Sequence, residues 1–351
     1  MMIPRFLPAA ALALAGFATL GISPAEAPAT AQSVSADGLT FDAYLEQLKA
    51  RASAEGVRDA TIERMTAGLT PNARVIALDN NQPGSGTARG FPPMSGYIAT
   101  HVDAARTGGG RAVYSQNRDL LTQIEARYGV PGSIIVAIFG HETSYGRIKG
   151  DFDLSRSLAT LAWEGRRRDL FADEFVALMK IADKGFDRSQ LVGSYAGAFG
   201  NPQFLPSVYL RLATDGDGNG RADIFNNRPD TFASIANYFR DAGWRAGQPW
   251  GVRAAVPSGF DVSAYRTRLV SPVCPRVHER LSRWMTVAEW RAAGVVPQQP
   301  LGDDVMASLF QPDGQGTPAW LLTGNFRAIL EYNCSSYYAL SVGLLADEIV
   351  N

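Results

Sequence analysis

Apolar residues recur at every third or fourth position over long stretches of this chain, which is the spacing that places them on one face of a helix. Phe41, Tyr44 and Leu48 follow this spacing, and a second helical pattern after Gly56 runs through Ile62. The segment 41–69 therefore predicts two helices that pack through their apolar faces.

Residues 79–93 are rich in glycine, proline and asparagine and predict a surface loop that begins at Asp79. Helical patterning resumes at Tyr97. Further along, Pro131 stands at the first turn of a predicted helix, and the run 134–139 after it is apolar nearly all round. We expect that helix to be buried.

Short apolar pieces alternate with proline and glycine over 252–273, and residues 320–322 follow a Pro312-Asp313-Gly314 turn. This pattern predicts limited β structure in a chain where helix dominates, which is a mainly α fold of the α+β class. We expect a helical N-terminal region at 32–128, a helical core at 129–250, a small β-containing subdomain at 251–310 and a C-terminal segment at 311–351 that completes the core.

Residues 1–31 have the three-part layout of a secretory signal peptide. Arg5 precedes an apolar run at 6–22, and small residues follow as far as Ala29-Thr30-Ala31. A membrane anchor is the alternative. No later segment is long and apolar enough to span a bilayer, and no cysteine for a lipid anchor lies near the cleavage point. We therefore expect export, with no membrane span after the signal is removed.

Composition narrows the possible partners. The chain has 351 residues, 46% of them hydrophobic, which permits a sizeable core, and a formal net charge of -1. Without a long basic run, nucleic acid is not an expected partner. The two cysteines, Cys274 and Cys334, favour a disulfide in an exported protein, although a free buried pair is the alternative.

Glu142 stands at the end of the apolar predicted helix, where Gly146 is placed to terminate that helix. Burial and the helix C-terminus would both raise the pKa of Glu142, as a proton donor working near neutral pH requires. The alternative is a structural glutamate paired with an arginine such as Arg147. The neighbouring His141 points about a quarter-turn away on a helix and is expected to be structural.

A glycine-rich segment, 215–230, has the pattern of an EF-hand calcium loop, with oxygen ligands at alternate positions and Gly220 at the sixth. The twelfth position holds Asn226 instead of a bidentate glutamate, so a last ligand is expected further on. The segment predicts a structural calcium or sodium ion, and a glycine-rich turn without metal is the alternative. The expected metal residues are Asp215, Asp217, Asn219, Arg221, Asp223 and Asp230.

Aromatic and amide residues are grouped at 195–204 and 332–338, which suits a sugar-binding groove but also suits a core. Several segments together resemble the membrane-bound lytic transglycosylase B family of peptidoglycan-cleaving enzymes, in matching order over nearly all of the chain after residue 32. They are Val130-Pro131, Gly140-His141-Glu142-Thr143, Leu158-Ala159-Thr160-Leu161-Ala162, Gly193-Ser194-Tyr195-Ala196-Gly197-Ala198-Phe199-Gly200, Gln203-Phe204-Leu205-Pro206-Ser207, Ser234-Ile235-Ala236-Asn237-Tyr238-Phe239, Asn325-Phe326 and Tyr332-Asn333.

The resemblance implies a lysozyme-like catalytic core at 129–250 with Glu142 as the catalytic acid and base. It places Arg166 and Arg167 near the peptide stems and makes the loop at 215–230 a metal-binding EF-hand. Leu170 departs from the tyrosine of some members, and Cys334 lies inside the Tyr-Asn motif. The implied groove residues are Tyr97, Ser194, Gln203, Phe204, Tyr238, Tyr332, Asn333 and Tyr338.

By this resemblance, Glu142 protonates the bond between N-acetylmuramic acid and N-acetylglucosamine and then deprotonates the muramoyl 6-hydroxyl, which closes a 1,6-anhydro ring without a cofactor. The implied partner is the peptidoglycan glycan strand, and the expected protein is a periplasmic monomer that joins cell-wall synthesis or secretion complexes. The alternatives are a hydrolytic lysozyme with Asp151 or Asp153 as a second acid, a non-catalytic peptidoglycan-binding protein and a calcium-sensing module.

Overall fold

A computed structural model describes residues 38–81, 92–271 and 277–351 of this chain. The predicted signal peptide at 1–31 lies outside the described residues. The described chain divides into two compact units. We call residues 92–147, 214–271 and 277–351 the larger unit, and residues 38–81 and 148–213 the smaller unit. Within these ranges, no helix combines the length and the apolar character needed to cross a bilayer.

The smaller unit is mostly helical, and its first two helices confirm the prediction for 41–69. Helix α1 begins at Phe41, where the Thr40 hydroxyl accepts a hydrogen bond from the Ala43 amide at 3.3 Å, and α2 follows after Gly56. The helices are α1 (Phe41–Ala54), α2 (Asp59–Thr66), α3 (Ala73–Asn80), α8 (Leu154–Glu164), α9 (Arg168–Asp183) and α10 (Pro206–Leu212), and the paired strands are β1 (Phe152–Asp153) and β2 (Val192–Gly193).

The predicted surface loop from Asp79 is wrong at its first two residues. Asp79 and Asn80 form the last turn of α3, which the Asn72 side chain caps at its start. The Asp79 side chain is buried, with 1% of it exposed, because two arginine side chains of the same unit bind it. Residues 82–91 of the predicted loop lie outside the described residues.

The larger unit is built around α7 (Gly132–Thr143), a helix buried on nearly all sides, as its sequence predicts. Helix α7 follows Pro131 directly and packs against four other helices of this unit. These are α5 (Ala104–Gln116), α6 (Arg118–Tyr128), α11 (Arg228–Asp241) and α14 (Ser336–Val350), and the unit also contains α4 (Met94–His101), α12 (Val287–Ala292), α13 (Gly324–Tyr332) and a 3-10 helix (Val262–Tyr265).

A five-stranded antiparallel sheet forms the β structure of the larger unit, in the order β4-β6-β7-β3-β5. Val252 and Leu309 both pair with Leu321 in the register of the central strands, and their apolar face packs around Trp290. The mainly α fold with limited β structure is therefore confirmed, while the bounds of the sequence-based domains stay a prediction. The strands are β3 (Gly251–Ala255), β4 (Met285–Thr286), β5 (Val296–Pro297), β6 (Met306–Phe310) and β7 (Ala319–Leu322).

Candidate active site

Helix α7 ends at Thr143, directly after Glu142 and before it reaches Gly146, the residue that the sequence predicted to terminate it. Ser144 and Tyr145 adopt left-handed backbone conformations, with φ of 49° and 63°, ahead of Gly146. The Ser144 amide donates to the Gly140 carbonyl at 3.0 Å and the Tyr145 amide to the Phe139 carbonyl at 3.2 Å. These bonds close the helix although left-handed φ is unfavourable for non-glycine residues.

Tertiary contacts of Tyr145 explain how this turn is stabilised. Its hydroxyl donates to the Arg106 carbonyl at 2.6 Å, and its ring lies against Gly140. A β-carbon at Gly140 would meet that ring at 2.6 Å, so only glycine fits there. Glu142 thus lies in the last turn of a buried helix, next to a turn that is hydrogen-bonded to α5.

The Glu142 carboxylate accepts a hydrogen bond from the Tyr338 hydroxyl at 2.5 Å. Part of Glu142 remains open to solvent, yet protein atoms surround its carboxylate closely. Desolvation raises the pKa of Glu142 to about 7, and the Tyr338 hydrogen bond opposes that rise in part. A carboxyl with this pKa holds and releases a proton near neutral pH.

Aromatic side chains of the larger unit surround this carboxyl. Burial raises the pKa of Tyr332 and Tyr338 well above the ordinary value, and the charge of Glu142 raises both further. Glu142 also acts on Tyr97, whose pKa is raised mainly by burial. The Tyr238 ring lies 4.6 Å from that of Tyr332. The structure therefore brings these four predicted tyrosines together near Glu142, and Asn333 follows as the buried C-cap of α13.

His141 has a structural environment, as expected. Its Nδ1 lies 3.3 Å from an Nη of Arg106, and burial, followed by the charge of Arg106, lowers its pKa to about 3. His101 packs 6.1 Å away, and its ring stacks on Tyr97 at 3.8 Å between centroids. Arg106 and Tyr145 were not predicted as site residues, because their hydrogen bond and the contact of Arg106 with His141 join positions 39 and 35 residues apart. His101 was not predicted either, although its ring stacks on Tyr97 of the same helix.

Three predicted groove residues lie in one turn-rich segment of the smaller unit. The Ser194 hydroxyl accepts from the Ala198 amide at 2.9 Å, and Gln203, with φ of 51°, donates its side-chain amide to the Gly200 carbonyl at 3.0 Å. Phe204 is buried, with 2% of its surface exposed. These contacts hold Ser194 and Gln203 in fixed backbone positions.

Both predicted stem-binding arginines are held by Asp79 within the smaller unit. Arg166 donates Nε to Asp79 Oδ2 at 2.8 Å, and Arg167 donates an Nη to Oδ1 at 2.7 Å. Asp153, which along with Asp151 was a candidate for the second acid of a lysozyme, caps α8 and accepts two hydrogen bonds from Arg188, at 2.9 and 2.6 Å. Asp153 is therefore occupied by an ion pair.

The predicted metal loop brings three carboxylates together. Ligand atoms of Asp215, Asp217 and Asp230 all lie within 4.8 Å of one another. Asp230 is fully buried and accepts a hydrogen bond from the Gly216 amide at 2.7 Å. This all-oxygen set could hold a hard cation. Asn219, Arg221 and Asp223 lie in the same loop, where the Arg221 amide donates to the Asn219 side chain at 2.9 Å.

Cys334 is disulfide-bonded. Its expected partner, Cys274, lies outside the described residues, so the pairing itself stays a prediction.

Comparison with known proteins identifies the family. Residues 40–347 match the family described as Transglycosylase SLT domain. Membrane-bound lytic murein transglycosylase B of Escherichia coli (strain K12) is 34% identical over 248 residues, which are 68% of this chain and 63% of that protein. The chain thus spans less than two thirds of that relative's length.

Two solved structures are similar over nearly the whole chain. SltB3 from Pseudomonas aeruginosa, in complex with NAG-anhNAM-pentapeptide, has a TM-score of 0.80 and 37% identity, covering 90% of this chain and 80% of that one. The Escherichia coli lytic transglycosylase Slt35, in complex with calcium, has a TM-score of 0.71 and 29% identity, covering 91% and 96%. The resemblance seen in the sequence is confirmed, and this chain belongs to the Transglycosylase SLT domain family.

Proposed function

We propose that this protein is a lytic transglycosylase. It cleaves the β-1,4 bond between N-acetylmuramic acid and N-acetylglucosamine in peptidoglycan and forms 1,6-anhydromuramic acid. The observation that carries the proposal is Glu142, a carboxyl whose pKa is raised to about 7 and which accepts a hydrogen bond from Tyr338. The SltB3 complex, which contains a NAG-anhNAM fragment, supports the same chemistry.

Glu142 moves one proton in each direction during the proposed reaction. The protonated carboxyl donates its proton to the bridging oxygen as the glycosidic bond breaks, and the resulting carboxylate then accepts the proton of the muramoyl 6-hydroxyl. That oxygen bonds to the anomeric carbon and closes the anhydro ring. A pKa near the working pH suits both transfers. An internal nucleophile makes the second carboxylate of ordinary glycosidases unnecessary.

Each unit supplies its own contacts with the sugars in this proposal. In the larger unit, Tyr97, Tyr238, Tyr332, Asn333 and Tyr338 contact the glycan around Glu142. In the smaller unit, Ser194, Gln203 and Phe204 shape a glycan-binding turn, and Arg166 and Arg167 meet the peptide stems. Flat rings and amides give the stacking and the directed hydrogen bonds that sugars require.

The loop at 215–230 holds a structural calcium ion in this proposal. The converging carboxylates of Asp215, Asp217 and Asp230 support that role, as does the calcium complex of Slt35. The ion contributes to stability, and the proposed proton transfers use Glu142. The protein works as a periplasmic monomer after removal of residues 1–31, within cell-wall synthesis or secretion complexes.

The product decides whether the proposal is right. Soluble fragments released from purified peptidoglycan are analysed by mass spectrometry, and we expect fragments that end in 1,6-anhydromuramic acid, lighter by one water than hydrolysis products. Glu142→Gln should release almost none. Reducing-end fragments from the unaltered protein would instead make it a lysozyme, and binding without any release would make it a peptidoglycan-binding protein.

A further inference from the structure

Helix α4 carries Tyr97, and its first turn is capped by a residue from a distant part of the larger unit. Pro93, at the N-cap position, provides no side-chain hydrogen bond. The Met94 amide instead donates to one carboxylate oxygen of Asp313 at 2.6 Å, and the Ser95 amide donates to the other at 2.9 Å. Asp313 lies in the turn between β6 and β7, so a loop of the sheet satisfies the start of this helix.

Asp313 makes this contact as a carboxylate. Burial by itself would raise its pKa, but the hydrogen bonds from Met94 and Ser95 outweigh burial and hold the pKa below the ordinary value. A negative charge at a helix N-terminus is also favoured by the helix dipole. The contact is therefore a charge-assisted pair of hydrogen bonds, which is stronger than the usual neutral cap.

The turn that carries Asp313 is itself held close to the rings next to Glu142. Arg280 donates to the Pro312 carbonyl, and its guanidinium lies 5.0 Å from the centre of the Tyr337 ring. The Tyr337 hydroxyl donates to the Pro92 carbonyl, just ahead of α4. The Tyr337 ring meets Tyr97 edge-on, with centroids 5.4 Å apart. Two independent contacts from the same region thus hold the start of α4.

The position of Tyr97 depends on where α4 lies. Its ring stacks on His101 of the same helix at 3.8 Å, and its edge contact is with Tyr337. The charge of Glu142 acts on its hydroxyl. A helix of only two turns has little stability of its own, so its place is set by the contacts that it makes.

We infer that Asp313 is a positioning residue, which holds α4 so that Tyr97 faces the ligand beside Glu142. The inference rests on the proposed function only in taking Tyr97 as a contact with peptidoglycan. Asp313 acts through Tyr97 and does not touch the ligand. Its loss therefore weakens ligand binding only while Tyr97 is present, whereas a general loss of stability would not depend on Tyr97.

The test measures binding to purified peptidoglycan by co-sedimentation, in a Glu142→Gln background so that no substrate is consumed. Asp313→Ala should weaken binding about fivefold, as expected for the loss of a helix cap. Asp313→Asn, which keeps one accepting oxygen, should weaken it about twofold and serves if the alanine variant folds poorly. Asp261→Ala is the matched control, because Asp261 caps the 3-10 helix of the same unit and should leave binding unchanged.

The decisive measurement repeats these substitutions together with Tyr97→Ala. We expect Tyr97→Ala to weaken binding and Asp313→Ala to weaken it no further in that background. The same fivefold loss with and without Tyr97, or an equal loss from Asp261→Ala, would overturn the inference. Absence of any binding by the Glu142→Gln protein would also overturn it, since Tyr97 would then have no ligand. Reducing-end products from the unaltered protein would refute the transglycosylase proposal but would leave this binding result intact.

Discussion

Two glutamates with desolvated carboxyls, one in each unit, have different hydrogen-bond partners. Glu142 ends α7 in the larger unit, and Glu174 lies within α9 in the smaller unit with 3% of its surface exposed. Desolvation raises the pKa of both. Among the described residues, Glu142 accepts a hydrogen bond from one phenol, whereas both oxygens of Glu174 are bound by Ser207, through its amide at 2.8 Å and its hydroxyl at 2.6 Å.

These partners decide what each carboxyl can do. Ser207 lies in the first turn of α10, where the helix dipole favours an anion, so Glu174 is bound as a structural acceptor. Glu142 lies at the opposite, negative end of a helix and keeps part of its surface open. A raised pKa alone therefore does not identify a catalytic acid. Access and an incompletely bound carboxylate are what distinguish Glu142 from Glu174.

The largest expected effect separates the two glutamates by activity. Glu142→Gln should lower the rate of anhydro-fragment release by about 10²–10⁴-fold, because the general acid and base is lost. Glu174→Gln should keep nearly full activity, because a glutamine amide can still pair with Ser207, and should lower stability by about 1 kcal/mol. Comparable losses of activity in the two variants, at equal folded fraction, would remove the distinction.

A second prediction concerns how the stability of the folded protein changes with pH. The pKa of Glu142 is about 7 in the folded protein and 4.5 for the ordinary group, so the folded state binds more protons between these values. The free energy of unfolding of the protein therefore falls as pH rises from 4.5 to 7, and Glu142 accounts for about 3 kcal/mol of this fall. Glu142→Gln lacks this loss, so its stability relative to the unaltered protein should increase over that range.

Denaturant unfolding at a pH below 4.5 and at a pH above 7 measures this difference. A stability difference between the two proteins that stays constant with pH would show that burial does not raise the pKa of Glu142.

Tyr338→Phe tests the partner of Glu142 directly. The hydroxyl of Tyr338 lowers the pKa of Glu142, so its removal should raise that pKa further and shift the alkaline decline of kcat/KM to higher pH. We also expect the maximal rate to fall about tenfold, equivalent to about 1.4 kcal/mol. Tyr337→Phe is the control, because its hydroxyl binds the Pro92 carbonyl instead. A shift of the alkaline decline in the control would point to a general change in the site.

The smallest effect extends the comparison to a third buried carboxylate, Asp230, whose pKa is raised mainly by burial. Calcium at about ten times its dissociation constant should stabilise the folded protein by about 1.4 kcal/mol, seen as a higher melting temperature. Asp230→Asn should lose most of this gain, and Asp261→Asn, at an exposed cap, should keep it. An unchanged melting temperature in the unaltered protein would argue against a structural metal ion.

Local patterns predicted those parts of the fold that are determined locally. The apolar run 134–139 predicted the buried helix α7, and the turn at Pro312-Asp313-Gly314 predicted the β structure at 320–322, which is strand β7. Asp79 was placed in a surface loop because its composition resembles one, whereas its arginine partners lie 87 and 88 residues further on. No spacing rule can identify such a pair.

The candidate site was likewise predictable from the sequence only where a local pattern marks it. An apolar helix followed by a carboxylate made Glu142 a candidate, but its role and its tyrosines came from resemblance to a family. The end of α7 was misplaced because left-handed turns are usually assigned to glycine, while here Ser144 and Tyr145 adopt left-handed conformations and the Tyr145 hydroxyl bonds to the Arg106 carbonyl. Contacts between distant parts of the chain decided each of these cases.

The bond between Glu142 and Tyr338 joins residues 196 positions apart, and this separation has a consequence during synthesis. At about 5–20 residues per second, a ribosome adds Tyr338 roughly 10–40 seconds after Glu142. Until α14 is made, α7 lacks one of the helices that bury it, so we expect the pKa of Glu142 to stay closer to its ordinary value. We therefore expect the raised pKa that the proposed proton transfers use to be reached only when the last helix docks.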